Sequence, residues 1–346
     1  MEAGFGSDVI EGGEAGSDND ELWSTQSVDI TVTATGDEAG TISDGTSTAT
    51  FSDIEAIETE GGDDTIDLSA DGAGMTVDSG AGDDIITGGS GDDVLDGGSG
   101  DDTFNLNNGF GDDTITGSET GETDGDTLDA SSVTDDLTVD LTALSPGNPE
   151  TGTISDGTDT TTFSEIENII LGSGDDSVTG SSGSKDIDLG SGADTIDAGA
   201  GDDVIDLGSD GLGNPDGDQD VIVLQDGFGN DLISNFDAPT PDGDGTFTGV
   251  DKLDVTNLND AGGTPVNTND VTVHDDGFGN AILTFPNGET ITLLGIDPVD
   301  ADDPFYLHAI AIPLPDGTVS GTAGDDTINA GYTGDPDGDI VDAGDA

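Results

Sequence analysis

Residues 79–116 read SGAGDDIIT, GGSGDDVLD and GGSGDDTFN, followed after Leu106 and Asn107 by NGFGDDTIT. Each of these four nine-residue units has glycine at its second and fourth places, aspartate at its sixth place and one large apolar residue at its eighth place. Glycine permits positive φ and close backbone approach, and the residues after each loop alternate as a short strand does. This spacing predicts a β-solenoid in which acidic loops alternate with minimal strands.

The sixth-place aspartates and the loop glycines are candidate metal ligands. Ca²⁺ takes six to eight oxygen ligands at roughly 2.3–2.6 Å, and carboxylates together with backbone carbonyls supply such oxygens. We expect the eighth-place side chains, from Ile86 to Ile115, to point into the solenoid. The candidate ligands in this stretch are Gly82, Asp84, Gly89, Gly91, Asp93, Gly98, Gly100, Asp102, Gly111 and Asp113.

These tandem units resemble the nonapeptide repeats of the RTX (repeats-in-toxin) family of secreted calcium-binding proteins, of the kind found in marine bacteria. The resemblance implies an all-β fold, a right-handed parallel β-roll in which two nonapeptides make one turn. Repeats eighteen residues apart then stack. The loop of Asp84 would lie against that of Asp102, and the loop of Asp93 near that of Asp113.

Folding of such a roll is expected to depend on calcium. The units bury few apolar side chains, and stacked carboxylates repel one another until a cation lies between them. With a dissociation constant of about 10⁻⁴ M, typical of extracellular calcium modules, about 10 mM calcium adds roughly 2.7 kcal/mol per independent site. The alternative, a disordered spacer rich in glycine and aspartate, gives no reason for the apolar residue to stay in register.

The composition limits the partners of the chain. Its 346 residues include 79 acidic and two basic residues, Lys185 and Lys252, for a net charge of −77. Without a basic patch the chain is not expected to bind nucleic acid, and anionic membranes and polysaccharides are disfavoured. The aspartates recur at fixed repeat places, which favours metal ligation. Adaptation of the surface to high salt stays open as a second contribution.

The sequence also bears on the destination of the protein. It has no cysteine, shows no amino-terminal signal peptide and contains no apolar run of membrane-spanning length. The resemblance implies export through a type I secretion apparatus, and so a secreted or cell-surface location. Because the sequence ends within a repeat at Ala346, we expect it to be part of a longer precursor.

An internal duplication organises the chain. Residues 40–64, GTISDGTSTATFSDIEAIETEGGDD, recur as residues 152–176, GTISDGTDTTTFSEIENIILGSGDD. A threonine-rich β segment therefore precedes a repeat block twice. In the second block Lys185 stands at a sixth place, where a cation opposes calcium, so we expect a weak or empty site there. The remaining candidate ligands are Asp64, Gly174, Asp176, Gly192, Asp194, Gly201, Asp203, Gly324 and Asp326.

The predicted domain organisation follows these blocks. Short strands near residues 271–294, joined by Gly-containing turns, predict an antiparallel cap over the last open coil. The segments are a repeat-like piece at 1–27, a threonine-rich segment with the first roll at 28–130, their duplicate at 131–235, a β cap at 236–297, a linker at 298–319 and the start of a third repeat block at 320–346.

No catalytic motif stands out. His274 and His308 are isolated, and the zinc-protease, nucleophile-elbow and P-loop patterns are absent. We therefore predict a non-catalytic calcium-binding module. Two alternatives stay open: an accessory region of a larger secreted enzyme or Hint-type self-processing precursor, and an adhesin stalk that binds neutral sugars or ice.

Overall fold

A computed structural model describes residues 8–13, 20–24, 27–118, 121, 123–142, 150–209, 214–241 and 247–315. The prediction of an all-β fold with β-roll segments is confirmed, because the described residues form long sheets of short, mostly parallel strands. The candidate ligands Gly324 and Asp326, with the third repeat block, lie outside the described residues. The chain divides into two compact units, Met1–Gly192 and Ala193–Ala346.

The first unit is a succession of short strands, most of them three residues long. They are β1 (Val9–Glu11), β2 (Glu21–Trp23), β3 (Thr31–Gly36), β4 (Ala39–Ser43), β5 (Thr48–Ser52), β6 (Ala56–Glu58), β7 (Thr65–Asp67), β8 (Thr76–Asp78), β9 (Ile85–Thr87), β10 (Val94–Asp96), β11 (Thr103–Asn105), β12 (Thr114–Thr116), β13 (Thr127–Asp129), β14 (Thr138–Asp140), β15 (Gly152–Ser155), β16 (Thr160–Ser164), β17 (Asn168–Ile170), β18 (Ser177–Thr179) and β19 (Asp186–Asp188).

Successive strands of the roll alternate between two parallel sheets. One sheet has the order β1-β5-β4-β3-β7-β9-β11-β13-β17-β19, and the other has the order β2-β6-β8-β10-β12-β16-β15-β14-β18. Each nonapeptide therefore makes half a turn. Equivalent repeats pair in register, so that Ile86 lies between Ile66 and Phe104, while Leu95 lies between Val77 and Ile115.

The core of this unit is a thin apolar stripe. The middle residue of each three-residue strand is buried, whereas its two neighbours are exposed or half-buried, as the two-residue period of a strand requires. Ile86, Leu95, Phe104 and Ile115 are each at most 1% exposed. Burial of such a side chain stabilises the roll by about 1.5–3 kcal/mol.

The two threonine-rich segments are antiparallel excursions from the parallel roll. β4 pairs antiparallel with both β3 and β5, and β15 pairs in the same way with β14 and β16. The first excursion widens one sheet and the second widens the other. Successive nonapeptides place their strands in alternate sheets. Two similar sequences separated by an odd number of half-turns therefore lie in opposite sheets.

The second unit continues the short-strand pattern and ends in an antiparallel meander. Sheets with the orders β20-β22-β26 and β21-β23-β29-β28-β27 are accompanied by a two-stranded ribbon, β24-β25. The strands are β20 (Thr195–Asp197), β21 (Val204–Asp206), β22 (Val221–Gln225), β23 (Asn230–Ser234), β24 (Thr240–Pro241), β25 (Phe247–Thr248), β26 (Lys252–Asn257), β27 (Thr272–Asp275), β28 (Ala281–Thr284) and β29 (Thr290–Leu293).

The interpretation of residues 298–319 as a linker is wrong for residues 298–315. These residues contain two short helices, α1 (Pro298–Ala301) and α2 (Pro304–Ala309). Asp297 and Asp303 cap them, each accepting a backbone hydrogen bond ahead of a proline in the first turn. Leu307 is 3% exposed, so the segment belongs to the packed unit. None of the helices among the described residues is long and apolar enough to span a membrane.

Candidate metal centre

The sixth-place aspartates are buried although each carries a carboxyl group. They occupy the end of each loop, two residues before an inward apolar residue, so their side chains turn into the gap between successive coils. Each is at most 3% exposed: Asp64, Asp84, Asp93, Asp102, Asp113, Asp126, Asp176, Asp194, Asp203, Asp220, Asp231 and Asp251. Aspartate is seldom fully buried without a compensating partner.

Backbone amides hold these carboxylates in a continuous series, which we name the first ladder. Each Oδ1 atom accepts a hydrogen bond from the backbone amide of the equivalent residue in the preceding coil. Ile30 donates to Asp64 at 2.6 Å and Asp64 donates to Asp84 at 2.7 Å. The series continues from Asp84 to Asp102 at 2.8 Å, from Asp102 to Asp126 at 2.7 Å, and from Asp126 to Oε2 of Glu167 at 2.7 Å.

The second ladder lies at the opposite turn of the roll. The backbone amide of Met75 donates to Oδ1 of Asp93 at 2.7 Å, and that of Asp93 donates to Oδ1 of Asp113 at 2.9 Å. The hydroxyl of Thr161 donates to Oδ2 of Asp113 at 3.2 Å. Further along the first unit, the amide of Leu137 donates to Oδ1 of Asp176 at 2.7 Å. An apolar residue at the sixth place thus keeps the amide donor but contributes no carboxylate.

The second unit contains the same arrangement. The amide of Asp194 donates to Asp220 at 2.9 Å, and the amide of Asp220 donates to Asp251 at 3.1 Å. In a parallel series the amide of Asp203 donates to Asp231 at 3.1 Å. Both series have the direction found in the first unit, with the earlier amide donating to the later carboxylate.

The loop glycines allow the coils to stack and turn their carbonyl groups toward one another. Gly82 and Gly100 have φ of 136° and 131°, which L side chains rarely adopt. A Cβ atom on Gly82 would overlap the carbonyl oxygen of Gly62, and one on Gly100 would overlap that of Gly82. Similar crowding occurs at Gly89, Gly91, Gly98, Gly111, Gly174 and Gly192, and at Gly229, which stacks on Gly201.

Burial is the largest cause of raised pKa values along the ladders, and the carboxylates of neighbouring residues raise them further. The backbone amides that donate to these groups oppose the effect only in part. The pKa is raised to about 6 for Asp64, Asp176 and Asp251, to about 7 for Asp113 and Asp231 and to about 8 for Asp220, and it is also raised for Asp84 and Asp93. Burial thus makes the ionised ladders costly.

The ladder residues fit a calcium ion. The Oδ2 atoms of Asp64 and Asp84 are buried and accept no hydrogen bond from the described residues. Carboxylate oxygens that accept no hydrogen bond are the ligands that Ca²⁺ would take here. Within the described ranges no three acidic or histidine side chains are grouped so as to hold a metal. Backbone carbonyl oxygens would therefore have to complete the ligand set.

The fifth-place aspartates next to the ladder residues behave differently. Asp63 and Asp83 are exposed. The amide of Asp83 donates to Asp63 at 3.2 Å, and that of Asp101 donates to Asp83 at 3.1 Å, so this outer series has the opposite direction to the first ladder. The two adjacent aspartates of each loop are therefore distinguished by burial, and only the sixth-place residue faces the interior.

Several ladder residues were missed by the sequence analysis: Asp126, Glu167, Asp220, Asp231 and Asp251. The loops before Asp126, Glu167, Asp220 and Asp251 lack one or both glycines of the nine-residue pattern. Residues 226–234, DGFGNDLIS, carry the complete pattern with Asp231 at the sixth place, and the sequence analysis passed over this unit. A shorter signal was present, because each of the four aspartates stands two residues before a buried aliphatic residue, as Asp84 does.

A roll with buried carboxylates at most of its turns and glycine loops between its coils is the architecture of a calcium-binding β-solenoid. The RTX calcium-binding nonapeptide repeat matches the chain in four copies, over residues 78–115, 162–196, 172–211 and 316–332. The chain thus contains RTX nonapeptide repeats, and RTX nonapeptide repeats bind calcium ions. A search of curated proteins finds no match to the chain.

The raised pKa values predict an unusual pH dependence in the absence of calcium. Between the unfolded pKa near 3.9 and the folded values of about 6–8, the folded chain holds more protons than the unfolded chain. Its free energy of unfolding must therefore fall as the pH rises through this interval. Circular dichroism of the chain in chelator and about 0.5 M sodium chloride, which screens surface charges, should show more β structure at pH 5 than at pH 8.

Calcium provides the control for this pH experiment. The ion competes with protons for the same carboxylates, so added calcium should increase the β structure at pH 8 more than at pH 5. A chelated chain with more β structure at pH 8 than at pH 5 would show that the buried aspartates do not control folding.

The ninth-place residues form a separate acidic row on one sheet. Asp78 pairs in register with Glu58 on one side and Asp96 on the other. Burial is the largest cause of the raised pKa of Glu58 and of Asp96, and the charge of Asp78 raises both further. Like charges directly opposite each other on neighbouring strands are destabilising.

Asp78→Asn should therefore stabilise the fold. We expect a gain of roughly 0.2–1 kcal/mol for each relieved pair, measured by urea unfolding in calcium at low ionic strength and reduced at high salt. Asp129→Asn is the matched control, because Asp129 has the uncharged neighbours Asn105 and Ile170. Equal effects of the two substitutions would indicate a general charge effect and contradict the assignment to this row.

Proposed function

We propose that the chain is a non-catalytic module of a secreted or cell-surface bacterial protein that folds when calcium binds after export. The observation that carries the proposal is the series of buried carboxylates, in which Oδ2 of Asp64 and of Asp84 lacks a hydrogen-bond donor. A buried ionised carboxylate without a partner is strongly unfavourable. A cation between the coils removes that cost.

The proposed ligands are the ladder carboxylates and the carbonyl oxygens of the loops that stack on them. In the first ladder they are Asp64, Asp84, Asp102 and the loops of Gly82, Gly98 and Gly100. The other proposed ligands in the first unit are Asp93 and Asp113 with Gly89, Gly91 and Gly111, and Asp176 with Gly174 and Gly192. In the second unit they are Asp194, and Asp203 with Gly201. The ladder positions of Asp126, Asp220, Asp231 and Asp251 extend the set.

The arrangement of the chain's own residues explains why its folding would depend on calcium. The backbone amides fix each carboxylate at the turn, and the glycines bring the loops into stacking distance. Bound calcium supplies the positive charge that lets these aspartates ionise together. At the roughly 10⁻⁴–10⁻³ M dissociation constants of extracellular calcium modules, the cytosol would leave the sites empty. The chain would then be available in unfolded form to a type I secretion apparatus.

A structural role agrees with the placement of the acidic side chains. The carboxylates that could serve as an acid–base pair recur from coil to coil, and they accept hydrogen bonds from backbone amides of the preceding coil. The same hydrogen bonds account for their orientation. Any binding or catalytic activity of the secreted protein is accordingly assigned to segments other than the ladders.

Limited proteolysis at buffered free calcium tests this proposal. A protease with broad specificity should degrade the chain at sub-micromolar calcium, as a cytosolic protein would encounter it, and should leave fragments spanning both repeat blocks at millimolar calcium. Magnesium at the same concentration is the control. Protection that is equal with magnesium, or already complete in chelator, would contradict calcium gating.

A further inference from the structure

Lys185 lies at a ladder position in the second repeat block. It stands two residues before the buried Ile187, as Asp84 stands two residues before Ile86. Its strand, β19, pairs in register with β17, so the coil before it is that of Glu167. The chain therefore carries an ammonium group at a turn where the stacked coils of the first ladder carry carboxylates.

The lysine side chain is turned inward instead of toward solvent. Lys185 is 4% exposed, and its Nζ atom donates a hydrogen bond to the carbonyl oxygen of Ile166 at 2.9 Å. Ile166 occupies the fifth place of the preceding coil, directly before Glu167. The ammonium thus spans two coils and binds a loop carbonyl, the kind of oxygen that calcium takes as a ligand.

The only other basic residue of the chain uses the same type of partner. Nζ of Lys252 donates to the carbonyl oxygens of Gly249 at 2.6 Å and Ala309 at 2.7 Å. In a chain with 79 acidic residues, both lysines thus donate hydrogen bonds to backbone carbonyl groups. The lysine side chain can reach such carbonyl groups because its long flexible stem ends in an ammonium group with three hydrogen-bond donors.

We infer that Lys185 is a built-in cation that takes the place of calcium between the coil of Glu167 and its own coil. These two coils then pack together without a metal ion, whereas calcium is required between the coils that carry the ladder aspartates. The inference rests on the proposed function, since it takes the ladders to be calcium sites. It differs from the expectation of a weak or empty site, because the cation position is filled by the chain itself.

Two substitutions in the full-length chain separate this role from simple packing. Lys185→Asp restores the ladder carboxylate, and Lys185→Met keeps the apolar stem without the charge. Urea midpoints are measured at limiting calcium, just sufficient to fold the wild type, and in about 10 mM calcium, and bound calcium is counted by native mass spectrometry. Both variants should be less stable than the wild type at limiting calcium. The higher calcium concentration should restore only Lys185→Asp, which should bind one more ion than the wild type.

The outcomes distinguish this inference from the proposed function. A wild-type chain that binds no calcium would contradict both. A wild-type chain that binds calcium, together with a Lys185→Asp variant that gains no ion or is not restored by calcium, would overturn the inference alone. A Lys185→Met variant as stable as the wild type at limiting calcium would also overturn it, because the ammonium group would then not stabilise the packing of the two coils.

Discussion

Asp84→Asn should stabilise the chain in chelator and destabilise it in calcium. Asparagine retains the oxygen that accepts the hydrogen bond from the backbone amide of Asp64 at 2.7 Å. It removes the negative charge of the Asp84 carboxyl group, whose pKa is raised by burial. Without calcium this relieves repulsion within the first ladder. With calcium it removes a proposed anionic ligand, and a tenfold loss of affinity corresponds to about 1.4 kcal/mol. The variant should therefore keep more residual β structure than the wild type in chelator, followed by circular dichroism, but should have the lower urea midpoint in millimolar calcium.

The matched control for this experiment is Asp83→Asn. Asp83 is adjacent in sequence and is exposed, and its Oδ1 atom accepts only the amide of Asp101 at 3.1 Å. This variant should alter the calcium affinity much less than Asp84→Asn. An Asp84→Asn effect of the same sign in chelator and in calcium would exclude the buried carboxylate as a calcium ligand.

Gly82→Ala should disrupt the first roll. Gly82 has φ of 136°, and an added Cβ atom would overlap the carbonyl oxygen of Gly62 in the coil before it. Backbone strain costs about 1–3 kcal/mol and overpacking typically a further 1–3 kcal/mol, so we expect a loss of roughly 2–6 kcal/mol. The loss should appear in the urea midpoint in calcium, accompanied by weaker calcium binding, because the two loops could no longer stack.

Gly45→Ala separates the two causes. Gly45 also has positive φ, 77°, but no atom lies within 4 Å of an added Cβ atom. The Gly45→Ala variant should be destabilised only by the strain of the left-handed conformation, about 1–2 kcal/mol, and its calcium affinity should not change. If both alanine variants lose the same stability and bind calcium equally, close stacking of the loops is not required for binding.

The repeat pattern predicts the roll well because one residue type decides each place. The eighth-place apolar residue, such as Leu95, is buried in each of the four units of residues 79–116, and the eighteen-residue spacing brings equivalent loops into register. The pattern fails where the spacing changes. Asp126 follows Asp102 by twenty-four residues, and Asp251 follows Asp220 by thirty-one. Only the short motif of aspartate two residues before an aliphatic persists there.

Three other features of the structure could not be predicted from the composition of the segments that contain them. The prolines of residues 298–315 favoured a linker, yet Pro298 and Pro304 each follow a capping aspartate, an arrangement typical of helix starts. The sheet that each threonine-rich copy joins depends on the number of half-turns between the copies. The inward orientation of Lys185 depends on the carbonyl group of Ile166, which lies nineteen residues away.

A calcium titration followed by far-ultraviolet circular dichroism tests the central claim most directly. The full chain is taken from chelated buffer to millimolar free calcium, with magnesium chloride and sodium chloride as controls. Calcium-gated folding predicts a cooperative change from coil to β structure that calcium alone produces. A β spectrum already present in chelator, or produced equally by sodium chloride, would contradict the claim and leave high-salt adaptation as the reason for the acidic charge.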